Sequence, residues 1–115
     1  MNRDRITEQA DLYLTAREAG LDAGNSLLCT SMRIGNYVVQ EGLCGFGYVR
    51  ITPARGKFVQ WLKFSNIGYK AYEGGYLIPI HDHNQSYQRK KAHSIAFAKV
   101  LTENGINAQP ESRMD

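Results

Sequence analysis

The chain has 115 residues, a common size for one domain and too short for two independent cores. Hydrophobic residues make up 43% and charged residues 22%, which is a globular rather than a disordered composition. No apolar run reaches the roughly 18 residues of a membrane-spanning helix, and the N-terminus lacks the apolar core of a signal peptide. The sequence therefore predicts a cytoplasmic protein that makes no membrane contact.

The net charge of +3 is unevenly distributed. Residues 26–80 carry six Lys and Arg side chains against Glu41 and Glu73, so an acidic partner would be drawn to the middle of the chain. Cys29 and Cys44 form no CxxC pair, which favours reduced, buried thiols over a disulfide.

The first predicted element is a helix. Ile6, Ala10, Tyr13 and Leu14 fall on one apolar stripe, and Gly20 is a typical residue at a helix C-terminus. The segment 26–32 fits either a short helix or a strand, and its type stays open.

From residue 34 the hydrophobic period changes to two. The pattern predicts strands at "IGNYVVQ", "FGYVRIT" and "KFVQWLKF", with "PARG" as the turn of a hairpin over residues 46–64. The segments "IGYKAY" and "YLIPI" predict a second hairpin around "EGG". Pro79 cannot donate to a strand ladder, so this last strand is expected to lie at an edge or to end there.

The last predicted element is a helix that begins after Ser86 as N-cap and ends at Gly105–Ile106 in a Schellman motif. Residues 107–115 are polar and are predicted to be a mobile tail behind a domain at 1–106. The predicted fold class is α+β, in which an N-terminal and a C-terminal helix flank an antiparallel sheet of four to five strands in a single domain.

One face of the predicted 46–64 hairpin interleaves aromatic rings with cations. It consists of Phe46, Tyr48, Arg50, Lys57, Val59, Trp61 and Lys63. Bases stack on aromatic rings while cations hold phosphates, so the face suits single-stranded nucleic acid. A protein interface and ordinary cation–π packing both use the same residue types, and all three interpretations stay open.

Three cations, Arg89, Lys90 and Lys91, stand at the start of the last helix. Free N–H groups near Ser86, the helix dipole and the cations together would attract a phosphate or a carboxylate. The alternative is a solvated basic turn that Asp82 partly neutralises.

The stretch "HDHNQSYQRK" carries His81 and His83, with His93 further along the helix. Three imidazoles could hold Zn²⁺, although helical spacing puts His93 at the head of an apolar stripe. "HDHNQ" and "YQRK" resemble the H-x-H-x-Q and Y-x-x-K motifs of rolling-circle replication initiators of the HUH class. That resemblance implies a metal at His81 and His83, a nucleophile at Tyr87 and a helper at Lys90. The family, however, has a hydrophobic residue where Asp82 stands, and its tyrosine lies much further from the histidines.

No nucleophile, base and stabiliser can be identified together, so we expect no enzyme and no cofactor. The sequence predicts a binding module, with nucleic acid as the first hypothesis. A protein–protein module, such as a phage- or plasmid-encoded inhibitor of a host defence complex (anti-CRISPR-like), is the alternative, and a His-metal-dependent nuclease is the third. Either a monomer or a homodimer is compatible with the pattern. The predicted binding residues are Tyr48, Arg50, Lys57, Trp61, Lys63, Arg89, Lys90 and Lys91.

Overall fold

The computed structural model describes residues 3–27, 32–34, 37–39, 44–83 and 86–114. In chain order the elements are α1 (Arg3–Ser26), β1 (Met32–Ile34), β2 (Tyr37–Val39), β3 (Gly45–Ile51), α2 (Lys57–Phe64), β4 (Tyr69–Lys70), β5 (Tyr76–Pro79), α3 (Tyr87–Glu103) and β6 (Ala108–Met114). The predicted α+β class is confirmed, with three helices and a four-stranded antiparallel sheet in a single compact domain.

The main sheet has the strand order β4-β5-β3-β6, and every neighbouring pair is antiparallel. From β3 onward the elements run β-α-β-β-α-β, and each helix connects two parallel strands between which another strand is inserted. This is the split β-α-β arrangement. The central strand β3 pairs along its whole length with β6 and over Tyr48–Ile51 with β5.

The helices cover one side of this sheet, its inner face. Helix α3 packs against β3 and β6, and α1 packs against α3 and α2. Because side chains alternate along a strand, Val49 and Ile51 of β3 point inward together with Tyr76 and Ile78 of β5. The helices complete this core with Ala16, Phe58, Val59, Trp61, Leu62, Phe97, Ala98 and Leu101. Within the described part of the chain, no helix has the length and apolarity needed to cross a bilayer.

The predicted hairpin over 46–64 is wrong in its second half, because "KFVQWLKF" forms helix α2. Phe58, Val59, Trp61 and Leu62 are buried, whereas residues 57, 60 and 63 are exposed, which is the period of a helix. The helical period puts all four apolar residues into the core, while a strand would leave two of them on each face. Burial therefore decides the conformation.

The predicted mobile tail over 107–115 is instead strand β6 over Ala108–Met114. It pairs in full register with β3, from Gly45 opposite Met114 to Ile51 opposite Ala108. Its polar composition fits an edge strand that is half exposed, and Pro110 is tolerated there because one side of the strand needs no donor. Ala108 is buried in the core.

Helix α1 continues through Gly20, where the sequence predicted its end, and reaches Ser26. Gly20 is buried, and a Cβ atom there would lie 2.4 Å from Cδ2 of His93. The glycine therefore serves the close approach of α1 to α3. Of the segment 26–32, Ser26 ends α1 and Met32 begins β1, while 28–31 lie outside the described residues.

Both ends of α3 agree with the sequence prediction. The Ser86 hydroxyl accepts a hydrogen bond from the Arg89 N–H at 3.3 Å. At the other end, the Ile106 N–H donates to the Leu101 carbonyl and the Gly105 N–H donates to that of Thr102, which is the Schellman pattern. The predicted hairpin of β4 and β5 is also confirmed, with Tyr69 opposite Leu77.

Two further predictions need correction. The predicted single strand at 34–40 is divided, because Ile34 of β1 pairs with Tyr37 of β2 in a separate two-stranded sheet. Cys44 is free as predicted, but it is exposed rather than buried. Cys29 lies outside the described residues.

Candidate functional site

The side of the main sheet away from the helices carries a group of aromatic and charged side chains. We call it the outer sheet face. The strand registers place on it Phe46, Tyr48 and Arg50 of β3, Tyr69 of β4, Leu77 and Pro79 of β5, and Gln109, Glu111 and Arg113 of β6. Along β3 the inner side chains are buried and the outer ones are half-buried. The sequence predicted the placement of Phe46, Tyr48 and Arg50 on one face correctly, because side-chain alternation alone determines it.

Arg50 lies at the centre of an ion-pair network on this face. Its guanidinium donates two hydrogen bonds to the Glu111 carboxylate and one, at 2.7 Å, to Glu73 Oε1. It also donates to the Gly74 carbonyl in the β4–β5 turn. The hydrogen bond from Arg50 lowers the pKa of Glu73 below its ordinary value. Arg50 therefore ties β3 to β6 and to the turn, and two carboxylates balance its charge.

Two shallow grooves share Tyr48 and Tyr69 on the outer sheet face. The Arg50 groove has a volume of about 500 Å³ and is lined by Tyr48, Arg50, Tyr69, Glu73, Leu77, Glu111, Ser112 and Arg113. The Lys90 groove has a volume of about 550 Å³ and is lined by Phe46, Gly47, Tyr48, Tyr69, Pro79, Ile80, His81 and Lys90. The first is polar and contains acids, whereas the second is mainly apolar and contains Lys90 and His81.

The other residues predicted for the sheet face lie elsewhere. Trp61 is only 7% exposed, and its ring packs 5.4 Å from that of Tyr13 between α1 and α2. Lys57 and Lys63 are exposed on α2, in the helical layer. Tyr69 and Arg113 take their place on the outer sheet face. Sequence reasoning missed both, because strand pairing from distant parts of the chain brings them there.

The three consecutive cations at the start of α3 have three different environments. Arg89 donates to the carbonyls of Gly24 and Asn25, at 2.7 and 3.2 Å, and so caps the C-terminal end of α1. Lys90 is buried, and its Nζ lies 6.0 Å from the ring centre of Phe46. Lys91 is exposed, with Nζ 5.8 Å from the ring centre of Tyr87. The structure therefore does not bring the three together around one anion.

The three histidines also separate into two places. His83 Nε2 and His93 Nδ1 lie 2.9 Å apart, so that one nitrogen donates and the other accepts. Desolvation, with a smaller contribution from His83, lowers the pKa of His93 to about 4. His81 instead lines the Lys90 groove. Among the residues that the structure describes, no three His, Cys, Asp or Glu side chains gather in a metal-binding arrangement.

A third cleft, of about 680 Å³, lies where β3 leads into α2. Acidic side chains of α1, such as Glu8 and Asp11, face Arg55 and Lys57 across it. The charges of this cleft compensate each other, and its one aromatic residue, Phe58, is buried in the core. It is larger than the grooves of the outer sheet face, but it offers a ligand less specific chemistry.

Comparison of the chain with protein-family models, curated proteins and solved structures returns no match.

Proposed function

We propose that this protein binds single-stranded nucleic acid on the outer sheet face. One observation carries the proposal: Phe46, Tyr48 and Tyr69 line one continuous surface, and cationic side chains stand next to them. Some four-stranded sheets bind single strands by stacking bases on aromatic side chains of one sheet face. Each stacked base contributes about 1–3 kcal/mol, so three rings supply about 3–9 kcal/mol, and micromolar affinity, which needs about 8 kcal/mol, also requires phosphate contacts.

The cations of this surface supply the phosphate contacts. The Arg113 guanidinium carbon lies 5.3 Å from the ring centre of Phe46, and Lys90 approaches the same ring from the helical side. Lys70 follows Tyr69 on β4, but it lies opposite Tyr76 and therefore points to the inner side of the sheet. Because Glu73 and Glu111 compensate Arg50, its role here is to hold the strands and the turn together. The phosphate contacts are therefore assigned to Arg113 and Lys90.

The test is a fluorescence-anisotropy titration of labelled single- and double-stranded oligonucleotides at low and moderate salt. We expect preference for the single strand and an affinity that falls steeply with salt. Tyr48→Ala should weaken binding by about 1–3 kcal/mol, because one stacking ring is lost. Phe64→Ala is the matched control, since it removes an exposed ring from α2. Equal losses in the two variants, or no binding at low salt, would refute the proposal.

A second candidate function is protein binding on the same face. The observation that favours it is the full compensation of Arg50 by Glu73 and Glu111, which makes the surface mixed in charge rather than strongly basic. Tyrosine and arginine side chains of this kind are frequent hot spots of protein interfaces. Arg113→Gln separates the two candidates. With nucleic acid it should reduce the salt slope by about one, whereas with a protein partner the slope should hardly change.

A further inference from the structure

The Lys90 groove lies where β5 leaves the sheet. Strand β5 ends at Pro79, opposite Tyr48, and the next residue, Ile80, donates its N–H to the Gly47 carbonyl. Beyond this point β3 has no β5 neighbour, so a gap opens beside Phe46. Pro79, Ile80 and the rings of Tyr48 and Tyr69 make the walls of the groove largely apolar.

Lys90 reaches this groove from the opposite side of the sheet. A Cβ atom on Gly47 would lie 2.9 Å from the Cβ of Lys90, so the glycine allows α3 to pack directly on the backbone of β3. The lysine stem leaves the helical layer there, and its Nζ lies 6.0 Å from the ring centre of Phe46 on the outer sheet face. Only 6% of Lys90 is exposed, and it lines the groove.

The ammonium group of Lys90 has no acidic partner in the described part of the chain. The ion pairs in that part of the chain are made by Arg17 and Arg50. Lys90 Nζ lies near the ring of Phe46, 6.0 Å from its centre. The ammonium itself reaches solvent, because no side-chain nitrogen or oxygen that is buried in the described residues lacks a hydrogen-bond partner. Lys90 therefore has a buried stem and an accessible ammonium without an acidic partner at the groove, where it is available to an anion that enters with its ligand.

We propose that the Lys90 groove binds one nucleotide, with its phosphate on Lys90 and its base against Tyr48 and Tyr69. The inference extends the proposed function, on which it rests, by defining one nucleotide subsite within the outer sheet face. Lysine binds phosphate as a point charge, and the adjacent rings offer a stacking surface for the base. His81 at the groove provides a second donor. The phosphate could belong to a free nucleotide or to a unit of a nucleic-acid chain.

The experiment compares uridine monophosphate with uridine by calorimetric titration. The wild-type protein should bind the phosphorylated compound about tenfold more tightly, as expected for a hydrogen-bonded charge pair. Lys90→Met retains the unbranched stem and removes the charge, so this preference should vanish. Lys99→Met, which removes an exposed lysine from the same helix, should retain it. An unchanged preference in Lys90→Met, or equal binding of the two compounds to the wild type, overturns the inference.

The same variants titrated with a labelled oligonucleotide separate this inference from the proposed function. If the oligonucleotide binds and the preference for phosphate is unaffected by Lys90→Met, the subsite is wrong and the sheet-face proposal stands. If the preference vanishes but no oligonucleotide binds, the groove takes a free nucleotide and the sheet-face proposal is wrong. A loss of oligonucleotide affinity in Lys90→Met, with a salt slope lower by about one, assigns the phosphate to a nucleic-acid chain.

The fold of the variant is checked by thermal melting. We expect Lys90→Met to melt close to the wild-type temperature, because it keeps an apolar stem of similar length and removes a charge that reaches solvent. A measurement on the wild type alone gives a second test. Uridine monophosphate should shift the NMR amide signals of Gly47 and Ile80, whereas shifts confined to residues outside the groove would overturn the assignment.

Discussion

At the scale of single residues, Gly20 shows how close packing can reverse an ordinary helix preference. In an exposed helix, alanine is better than glycine by about 1 kcal/mol. Here the added Cβ would lie 2.4 to 2.9 Å from three atoms of the His93 imidazole. His93 is only 1% exposed and is hydrogen-bonded to His83, so its ring has little room to move. We expect Gly20→Ala to lower the free energy of unfolding by roughly 1–3 kcal/mol.

Urea denaturation measures this effect, and Glu18→Ala is its control. Glu18 is exposed on the same helix, so its replacement should change the free energy of unfolding by less than about 0.5 kcal/mol. A Gly20→Ala variant as stable as the wild type would contradict the close contact between α1 and α3.

His93 predicts how stability depends on pH. Burial lowers its pKa to about 4 in the folded protein, whereas the unfolded chain has the ordinary value of 6.5. Between these values the unfolded state binds more protons, so stability should be lost as the pH falls from about 6.5 to 4. The loss amounts to at most about 3 kcal/mol from this one group. The nearby charge of Asp82 raises the pKa of His93 and that of Arg17 lowers it, so the two effects oppose each other.

The measurement is the free energy of unfolding at several pH values between 7.5 and about 5, above the range in which carboxylates dominate. His93→Gln should flatten the profile, since the remaining side chain does not titrate. Ile95→Gln, an exposed change on the same helix, should leave the slope intact because it removes no titratable group. Parallel profiles for the wild type and His93→Gln would contradict the burial of a neutral imidazole.

At the scale of elements, α2 shows why the conformation of a short segment is difficult to predict from its sequence. The eight residues "KFVQWLKF" are too short for the two periods to separate clearly, and the adjacent turn favoured a hairpin. The one available signal was the three-residue spacing of Lys57, Gln60 and Lys63, which leaves one apolar helical face. Longer segments such as α3 carry caps at both ends, and these were predicted correctly.

Strand β6 was missed for a different reason. Its sequence "AQPESRM" is polar, because an edge strand needs few apolar residues when its partner β3 supplies the core side chains. Only the long-range register with β3 reveals the strand. The same dependence on distant partners explains why Tyr48 and Arg50 could be placed from the sequence while Tyr69, Glu111 and Arg113 could not.

The structure predicts that β6 is required for folding. Ending the chain after Ile106 would remove the whole strand, expose the second edge of β3 and take Ala108 out of the core. We expect the truncated protein to lose cooperative thermal unfolding. Removal of residue 115 alone should leave the melting temperature unchanged. A shortened chain that melted like the intact protein would support the mobile tail that the sequence indicated.

At the scale of the whole molecule, the charge of the outer sheet face differs from what the net charge of +3 suggests. The exposed lysines of α2 lie in the helical layer, and Arg89 is bound to the carbonyls at the end of α1. On the face itself, Glu73 and Glu111 oppose Arg50. The strength of any phosphate binding therefore depends on these two acids as much as on the cations.

If these acids oppose phosphate binding locally, removing one of them should strengthen oligonucleotide binding more than removing an acid elsewhere on the protein. Glu111→Gln should strengthen binding of a single-stranded oligonucleotide about two- to fivefold, because a negative charge beside the rings disappears and Arg50 is partly released. Arg50 keeps Glu73 and the Gly74 carbonyl as partners, so the sheet should remain folded.

The control is Glu103→Gln, which makes the same charge change at the exposed end of α3. Anisotropy titrations at two salt concentrations should show a smaller gain for this variant. Equal gains would mean that only net charge matters and that the outer sheet face has no special role. Weaker oligonucleotide binding by Glu111→Gln would contradict this prediction, because it would mean that the ion pair of Glu111 with Arg50 supports the binding surface more than its charge repels phosphate.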